Sequence, residues 1–305
     1  MKTALIVICG ATATGKSRLA LTLAQKIGSV ILSADSRQVY REFDIGTAKP
    51  SHSEQRLVPH YLIDICEPTQ RLTLAEYQAQ AQNLIHQQYS SPPLLVGGTG
   101  LYINGIVKGL CTPPVAPHPQ LRQQLQSLDQ KQRHQMLSQI DPTAAYKIHC
   151  NDQVRTLRAL EVYYVTGNPI STLQRESPPN YPILQLGLYC EPEILQQHIA
   201  LRTQKMLDQG LVEEVKRLIN EYGENLPLLK TLGYREILLY LREELSLEEA
   251  RNNIILHTRQ FAKRQRTWFR GNSDIVWFDF NNPELQSKVL EKIEHFITQK
   301  SHAAN

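Results

Sequence analysis

The octapeptide Gly10-Ala11-Thr12-Ala13-Thr14-Gly15-Lys16-Ser17 constrains this chain more than any other stretch. It follows the apolar run from Ala4 to Cys9 and precedes a helical pattern of Leu19, Ala20, Leu21, Leu23 and Ala24, so the order is strand, glycine loop, helix. With this spacing, successive backbone N–H groups point from a helix start at phosphate oxygens, Lys16 adds a point charge and Ser17 a hydroxyl suited to magnesium. Gly10 and Gly15 keep the loop free of side-chain clashes. The motif predicts a parallel sheet begun by the first strand, and a chain that binds a di- or triphosphate.

The residues that follow repeat the strand and helix alternation of a parallel α/β sheet. Ser29 to Ala34 is a short β-branched run followed by Asp35, Pro59 to Ile65 reads as a third strand, a helix is expected from Leu74 to Tyr89, and Pro93 to Val96 is a fourth strand that runs into Gly97-Gly98-Thr99-Gly100. A Pro-rich joint from Cys111 to Pro119 and a second at Pro178, Pro179 and Pro182 bracket a polar stretch with helical period. The expected organisation is therefore a core part over residues 1–114, a helical insertion over 115–180, and core completion over 181–305. In the last part Ile183 to Tyr189 resumes the sheet. Helices are expected near 192–222, 233–242 and 246–270, then a strand near 274–278 and an amphipathic helix carrying Leu285, Val289, Ile293, Phe296 and Ile297.

With 305 residues, 41% of them hydrophobic, the chain can bury a large core plus an added module. Its net charge is only +4, so any affinity for nucleic acid must come from local clustering. Cys9, Cys66, Cys111, Cys150 and Cys190 are scattered without zinc spacing, which argues against a disulfide framework or zinc finger. The apolar run before the phosphate loop is too short for a signal or membrane segment, so a cytoplasmic protein is expected.

A nucleoside triphosphatase normally places an acid at the end of a later strand to hold the magnesium shell. Here Leu94-Leu95-Val96-Gly97-Gly98-Thr99 has none, and there is no Asn-Lys-x-Asp for guanine. The acid appears instead at Asp35, beside the expected phosphate site, where spacing allows a magnesium ligand, a helix cap or a general base. A second informative stretch runs from Arg259 to Arg270. Its cations, Arg259, Lys263, Arg264, Arg266 and Arg270, are interrupted by no acid, and four of them share one helical face. That face suits a phosphodiester backbone, with Phe261 and Trp268 expected to anchor the helix to the core. Arg122, Arg155 and Arg158 supply cations in the insertion. On residues alone, a small-molecule or nucleotide kinase and a non-catalytic RNA-binding regulator both stay open.

Read together, these segments resemble a known family. Gly10 to Ser17, Ser33 to Tyr40, Asp44-Ile45-Gly46-Thr47-Ala48-Lys49-Pro50, Val96 to Tyr102, Arg158 to Val162, Gly233-Tyr234-Arg235 and Arg259 to Arg270 resemble, in order, the signatures of the bacterial tRNA dimethylallyltransferases, also called tRNA isopentenyltransferases. The resemblance runs from about residue 4 to 280. It departs at Ala11, where the family often has Pro, and it lacks the zinc-finger extension of eukaryotic relatives.

The resemblance implies a P-loop NTPase-like sheet with an inserted all-helical domain and a helical C-terminal part. The implied enzyme is a monomer that needs Mg2+, and no membrane is involved. Its implied reaction transfers a dimethylallyl group from dimethylallyl diphosphate to N6 of adenosine 37 in the tRNA anticodon stem-loop, between adenosines 36 and 38. Asp35 matches the family's base, Arg202 an additional diphosphate-binding arginine, and Thr99 a contact to the target nucleotide. Lys16, with the Gly10 to Ser17 amides, matches the diphosphate site, Ser17 serving as partial magnesium ligand. Asp35, Ser36, Arg37, Gln38, Thr99, Arg122, Arg155, Arg158, Gly233, Tyr234, Arg235, Lys263, Arg266 and Arg270 are the expected tRNA contacts.

Overall fold

In the computed structural model, residues 3–302 are described. Two compact units emerge, one of residues 1–107 and 180–305, the other of Lys108–Pro179. The first is built on a six-stranded sheet from β1 (Leu5–Gly10), β2 (Ile31–Ala34), β3 (His60–Tyr61), β4 (Leu94–Gly97), β7 (Ile183–Tyr189) and β8 (Ile275–Asp279). Two short strands, β5 (Leu110–Cys111) and β6 (Arg175–Glu176), belong to the second unit. The order in the large sheet is β3-β2-β4-β1-β7-β8, and every pairing is parallel. Parallel neighbours need crossovers, and these lay helices on both faces.

All six residues of β1 are buried, as a strand covered on both sides requires. Alternation assigns Leu5, Val7 and Cys9 to one core and Ile6 and Ile8 to the other. The second core is closed by Leu19, Ala20, Leu23 and Ala24 of the helix Lys16–Ile27 and by Leu285, Val289 and Ile293 of the C-terminal helix Leu285–His302. Across the sheet, the first core takes Tyr77, Ile103, Val215, Ile237, Ile254 and Phe269 from five helices.

Local sequence explains where several of these elements begin and end. Thr73 and Glu76 form a capping box at the start of the helix Leu74–Ile85, and Ser246 and Glu249 do so for Leu247–Arg270. The third strand is shorter than expected, because Leu62 and Asp64 adopt left-handed backbone and turn the chain away. The expected helix 192–222 is two helices, Pro192–Asp208 and Leu211–Tyr222, broken at Gly210 (φ 98°).

The second unit holds five helices, from Pro119–Gln126 to Ile170–Leu173, around Leu137, Leu157, Leu160 and Ile170. It begins earlier than the sequence joint at 115 because β5 and β6 pair antiparallel, Leu110 with Glu176 and Cys111 with Arg175.

One expectation holds only in part in the long helix. Phe261 and Trp268 are 37% and 40% exposed, the Trp268 indole lying against Gly100, while the buried residues are Ala250, Ile254, Ala262, Gln265 and Phe269. The buried seam steps through 254, 262, 265 and 269, and positions 261 and 268 each lie one residue, about 100° of helical rotation, off it.

Candidate active site

The carboxyl ends of β1, β2 and β4 carry the candidate residues, as expected for an open parallel sheet. After β1 the chain enters the loop from Gly10 to Gly15, with Gly15 left-handed (φ 74°) at the N-cap of Lys16–Ile27. A Cβ at Gly15 would collide with the Phe280 ring, so glycine is required there twice over. The Thr14 hydroxyl donates to the Ala11 carbonyl at 2.8 Å, and Lys16 Nζ donates to the same oxygen. Ala11 therefore leaves the loop's folding intact in place of Pro. Ser17 is exposed one residue into the helix.

Lys16 is 8% exposed, and burial together with the nearby Arg202 guanidinium lowers its ammonium pKa to about 8. Arg202, from the helix Pro192–Asp208, donates from Nη1 to Thr12 Oγ1 at 3.2 Å. Burial lowers its pKa as well, and Asp35 opposes the shift in both cations. Among the described residues neither cation is in an ion pair. Two desolvated positive charges thus stand together beside the glycine loop.

Asp35 follows β2. Its Oδ1 accepts the Arg37 N–H at 2.8 Å and the Gln38 N–H at 3.4 Å, and Oδ2 has no partner among the described residues. The cap it forms serves a turn, not a helix. Thr99, after β4, accepts the Ser36 N–H on Oγ1 at 3.0 Å and donates its own N–H to Ala34 O, so the ends of β2 and β4 are tied beside Asp35. Gly97 permits that approach, since a Cβ there would lie 2.1 Å from Ala34 O.

The loop from Asp44 to Pro50 is held from behind. Glu214, 5% exposed, accepts the N–H groups of Asp44, Ile45 and Gly46 at 3.2, 2.8 and 3.1 Å, and the Tyr234 hydroxyl at 2.7 Å. Lys49 is buried between Asp44 and Asp64. Gln38 donates to the carbonyls of Thr47 and Ala48, and Arg202 Nη2 reaches Thr47 O at 3.5 Å. The structure thus corrects the expectation that Tyr234 lies at an RNA surface: the ring is 1% exposed, and its hydroxyl is engaged with Glu214. Gly233 caps the same helix, its N–H donating to Glu236, while Arg235 is exposed.

The cationic expectations divide similarly. Lys263 and Arg270 are exposed and Arg266 partly so, with no ion pair among the described residues. Within the second unit, Arg122 and Arg158 both grip Glu161, which is fully buried, through contacts of 2.6 to 2.7 Å. Burial alone would raise the Glu161 pKa, but these guanidinium bonds and the His118 N–H bring it down to about 2. Arg122 and Arg158 therefore organise the unit's interior, because a buried carboxylate needs them. Arg155, with only a loose contact to Asp152, remains exposed.

Two residues at the site escaped the sequence reading, Glu214 and Gln265. Each had a signal: a polar side chain on an otherwise apolar seam, Glu214 between Leu211 and Leu218, Gln265 between Ala262 and Phe269.

The IPP transferase family profile matches residues 38–272. The chain belongs to the IPP transferase family. It is 63% identical over 293 residues to the tRNA dimethylallyltransferase of Crocosphaera subtropica, covering 96% of this chain and 97% of that one. To the tRNA dimethylallyltransferase of Nostoc punctiforme it is 62% identical over 302 residues, covering 99% and 100%. Among solved structures, the tRNA isopentenylpyrophosphate transferase of Bacillus halodurans matches with a TM-score of 0.74 at 34% identity, over 99% of both chains. A eukaryotic dimethylallyltransferase acting on tRNA matches with a TM-score of 0.80 at 27% identity, over 98% of this chain and 80% of that one. Membership in the IPP transferase family decides against the kinase alternative.

Proposed function

We propose that the chain transfers a dimethylallyl group from dimethylallyl diphosphate to N6 of adenosine 37 in tRNA, releasing diphosphate. The observation that carries this reading is the pair of desolvated cations without an ion-pair partner, buried Lys16 and half-buried Arg202, at a phosphate loop whose neighbouring strand β4 ends in Gly97, Gly98 and Thr99 instead of an acid. A leaving diphosphate supplies the missing negative charge, and no γ-phosphate needs a water-activating group.

As the C1–O bond breaks, negative charge grows on the diphosphate, where the loop amides, Lys16 and Arg202 stabilise it. The adenine amine is a weak nucleophile because its lone pair is delocalised into the ring. As the N6–C1 bond forms, the amine must lose a proton, and the free Oδ2 of Asp35 is available to take it. The Thr99 hydroxyl, held next to Asp35 through Ser36, can donate to the base. The target nucleotide must leave its stack, at a cost of a few kcal/mol that backbone contacts offset. Lys263, Arg266 and Arg270 form a phosphate-facing stripe on their helix, and Arg155 and Arg235 are further exposed cations available to RNA.

Among the described residues no three His, Cys, Asp or Glu side chains are placed to hold a metal. The donor set suits Mg2+, which keeps most of its waters and binds through one or two protein oxygens plus phosphates. The Ser17 hydroxyl and diphosphate oxygens would hold it, and it would neutralise charge on the leaving group. No helix among the described residues is long and apolar enough to cross a membrane; we place this monomeric enzyme in the cytoplasm, alongside its tRNA substrate.

The test is incubation with dimethylallyl diphosphate, magnesium and unmodified tRNA, followed by nucleoside mass spectrometry. N6-dimethylallyl adenosine at position 37 is expected. Modification at another position, or none, would overturn the reading, as would steady ATP hydrolysis that Lys16→Ala abolishes.

A further inference from the structure

Gln265 is 8% exposed, in the middle of the long helix Leu247–Arg270, and both ends of its amide are engaged far away in sequence. Its Oε1 accepts the Thr12 N–H at 2.8 Å, and its Nε2 donates to the Gly98 carbonyl at 2.8 Å. A Cβ at Gly98 would lie 2.3 Å from Nε2, so the backbone of the turn comes directly onto the amide. Thr12 belongs to the loop assigned to the diphosphate, and its hydroxyl also receives Arg202. Gly98 precedes Thr99, which is tied through Ser36 to the turn bearing Asp35.

One planar amide therefore spans the half-site that holds the leaving group and the half-site that holds the acceptor. It leaves one loop amide, that of Thr12, with a protein acceptor. A hydrophobic side chain of the same length would fill the volume without fixing either backbone. A charged one would meet either the donor or the acceptor with the wrong polarity.

Resting on the reading of the site as a prenyl transferase, we propose that Gln265 is a positioning residue that sets the spacing between the diphosphate loop and the acceptor turn. It touches neither substrate. Displacement at a carbon between two separately held groups is steep in geometry, and a misplacement of about 1 Å costs on the order of a hundredfold in rate. Its loss should then appear in the chemical step and leave binding largely unchanged.

The experiment compares the full-length parent with Gln265→Met, which keeps length and loses both bonds, and Gln265→Asn, whose amide is one methylene too short to reach both partners. Single-turnover rates are measured with dimethylallyl diphosphate and tRNA both saturating, alongside the KM for the diphosphate, the Kd for the anticodon stem-loop, and circular dichroism melting. Both variants should transfer about 30- to 100-fold more slowly at saturation, with KM and Kd within about threefold of the parent. A residue that merely supports the fold would lower Tm and leave the saturated rate per folded molecule unchanged. A folded variant with a parental rate, or one whose defect lies wholly in KM, overturns the proposal. Gln265→Asn keeps a polar group in the buried position and carries the test if Gln265→Met does not fold. Absence of transfer by the parent would remove the functional reading and this inference with it, whereas transfer by the parent and both variants alike would remove this inference alone.

Discussion

Raising the pH should loosen the diphosphate through Lys16. The unfolded chain holds this proton up to the ordinary lysine value of 10.5, whereas burial and Arg202 bring the folded value to about 8. At about 1.4 kcal/mol per unit, keeping the empty site charged costs on the order of 3 kcal/mol. A bound diphosphate favours the ammonium and moves its pKa back toward 10.5. Affinity should therefore be flat up to about pH 8 and then fall, reaching about thirtyfold weaker at pH 9.5 if the shift is fully reversed. The empty protein should move the other way. Between pH 8 and 10.5 the unfolded state binds more protons at this position than the folded state, so this group's contribution to stability rises with pH in that window.

Calorimetric titration with inorganic pyrophosphate and Mg2+ from pH 7 to 9.5, paired with thermal melts of the empty protein, checks both trends. Lys16→Arg is the control, because a guanidinium does not titrate in this range, and the inflection should vanish even if affinity drops. A parent affinity that stays level to pH 9.5 would refute the reasoning, since the depressed lysine would then not be the cation that meets the ligand.

Three further outcomes are expected. Asp35→Asn keeps an oxygen for the turn made with Arg37 and Gln38 but cannot take a proton, so single-turnover transfer should fall on the order of a hundredfold or more while stem-loop affinity holds; an unaltered rate would remove Asp35 as the base. Reversing Lys263 and Arg266 together to Glu should weaken stem-loop binding and flatten its salt dependence by roughly one to two units of slope, with the fold intact; filter binding across a salt series that shows neither change would make this helix a solvated face. Tyr234→Phe removes the hydroxyl from buried Glu214 and should lower stability by about 1.5 to 3 kcal/mol without touching the salt slope; denaturant melts that show full stability alongside weakened RNA binding would return Tyr234 to a surface role.

Much of the fold was legible because its signals are local. Strand β7 was read to its observed ends, since Ile183 to Tyr189 is a mainly apolar run, broken only by Gln185, that follows Pro182. The long helix, expected near 246–270, runs from Leu247 to Arg270. Boundaries set by a single backbone conformation were not legible: the left-handed residues Leu62 and Asp64 that cut β3 short, or the break at Gly210 inside a continuous helical period.

Within the site, the sequence by itself determined the chemistry-bearing residue types and their order. The loop Gly10 to Ser17, Asp35 after a strand, the acid-free end of β4 and a cationic helix all follow from spacing along one chain. Only the tertiary structure decided which polar side chains face the solvent and which hold the machinery together. Tyr234 and the pair Arg122 and Arg158 had the composition of RNA contacts, yet each completes a buried carboxylate, Glu214 or Glu161. Gln265 looked like one more polar residue in a basic stripe, yet it reaches both Thr12 and Gly98, 253 and 167 residues away in sequence, and joins them. The reason is physical: a pattern fixes which face of an element is apolar, but a buried polar group is justified only by the partner that satisfies it, and that partner arrives from a distant part of the chain.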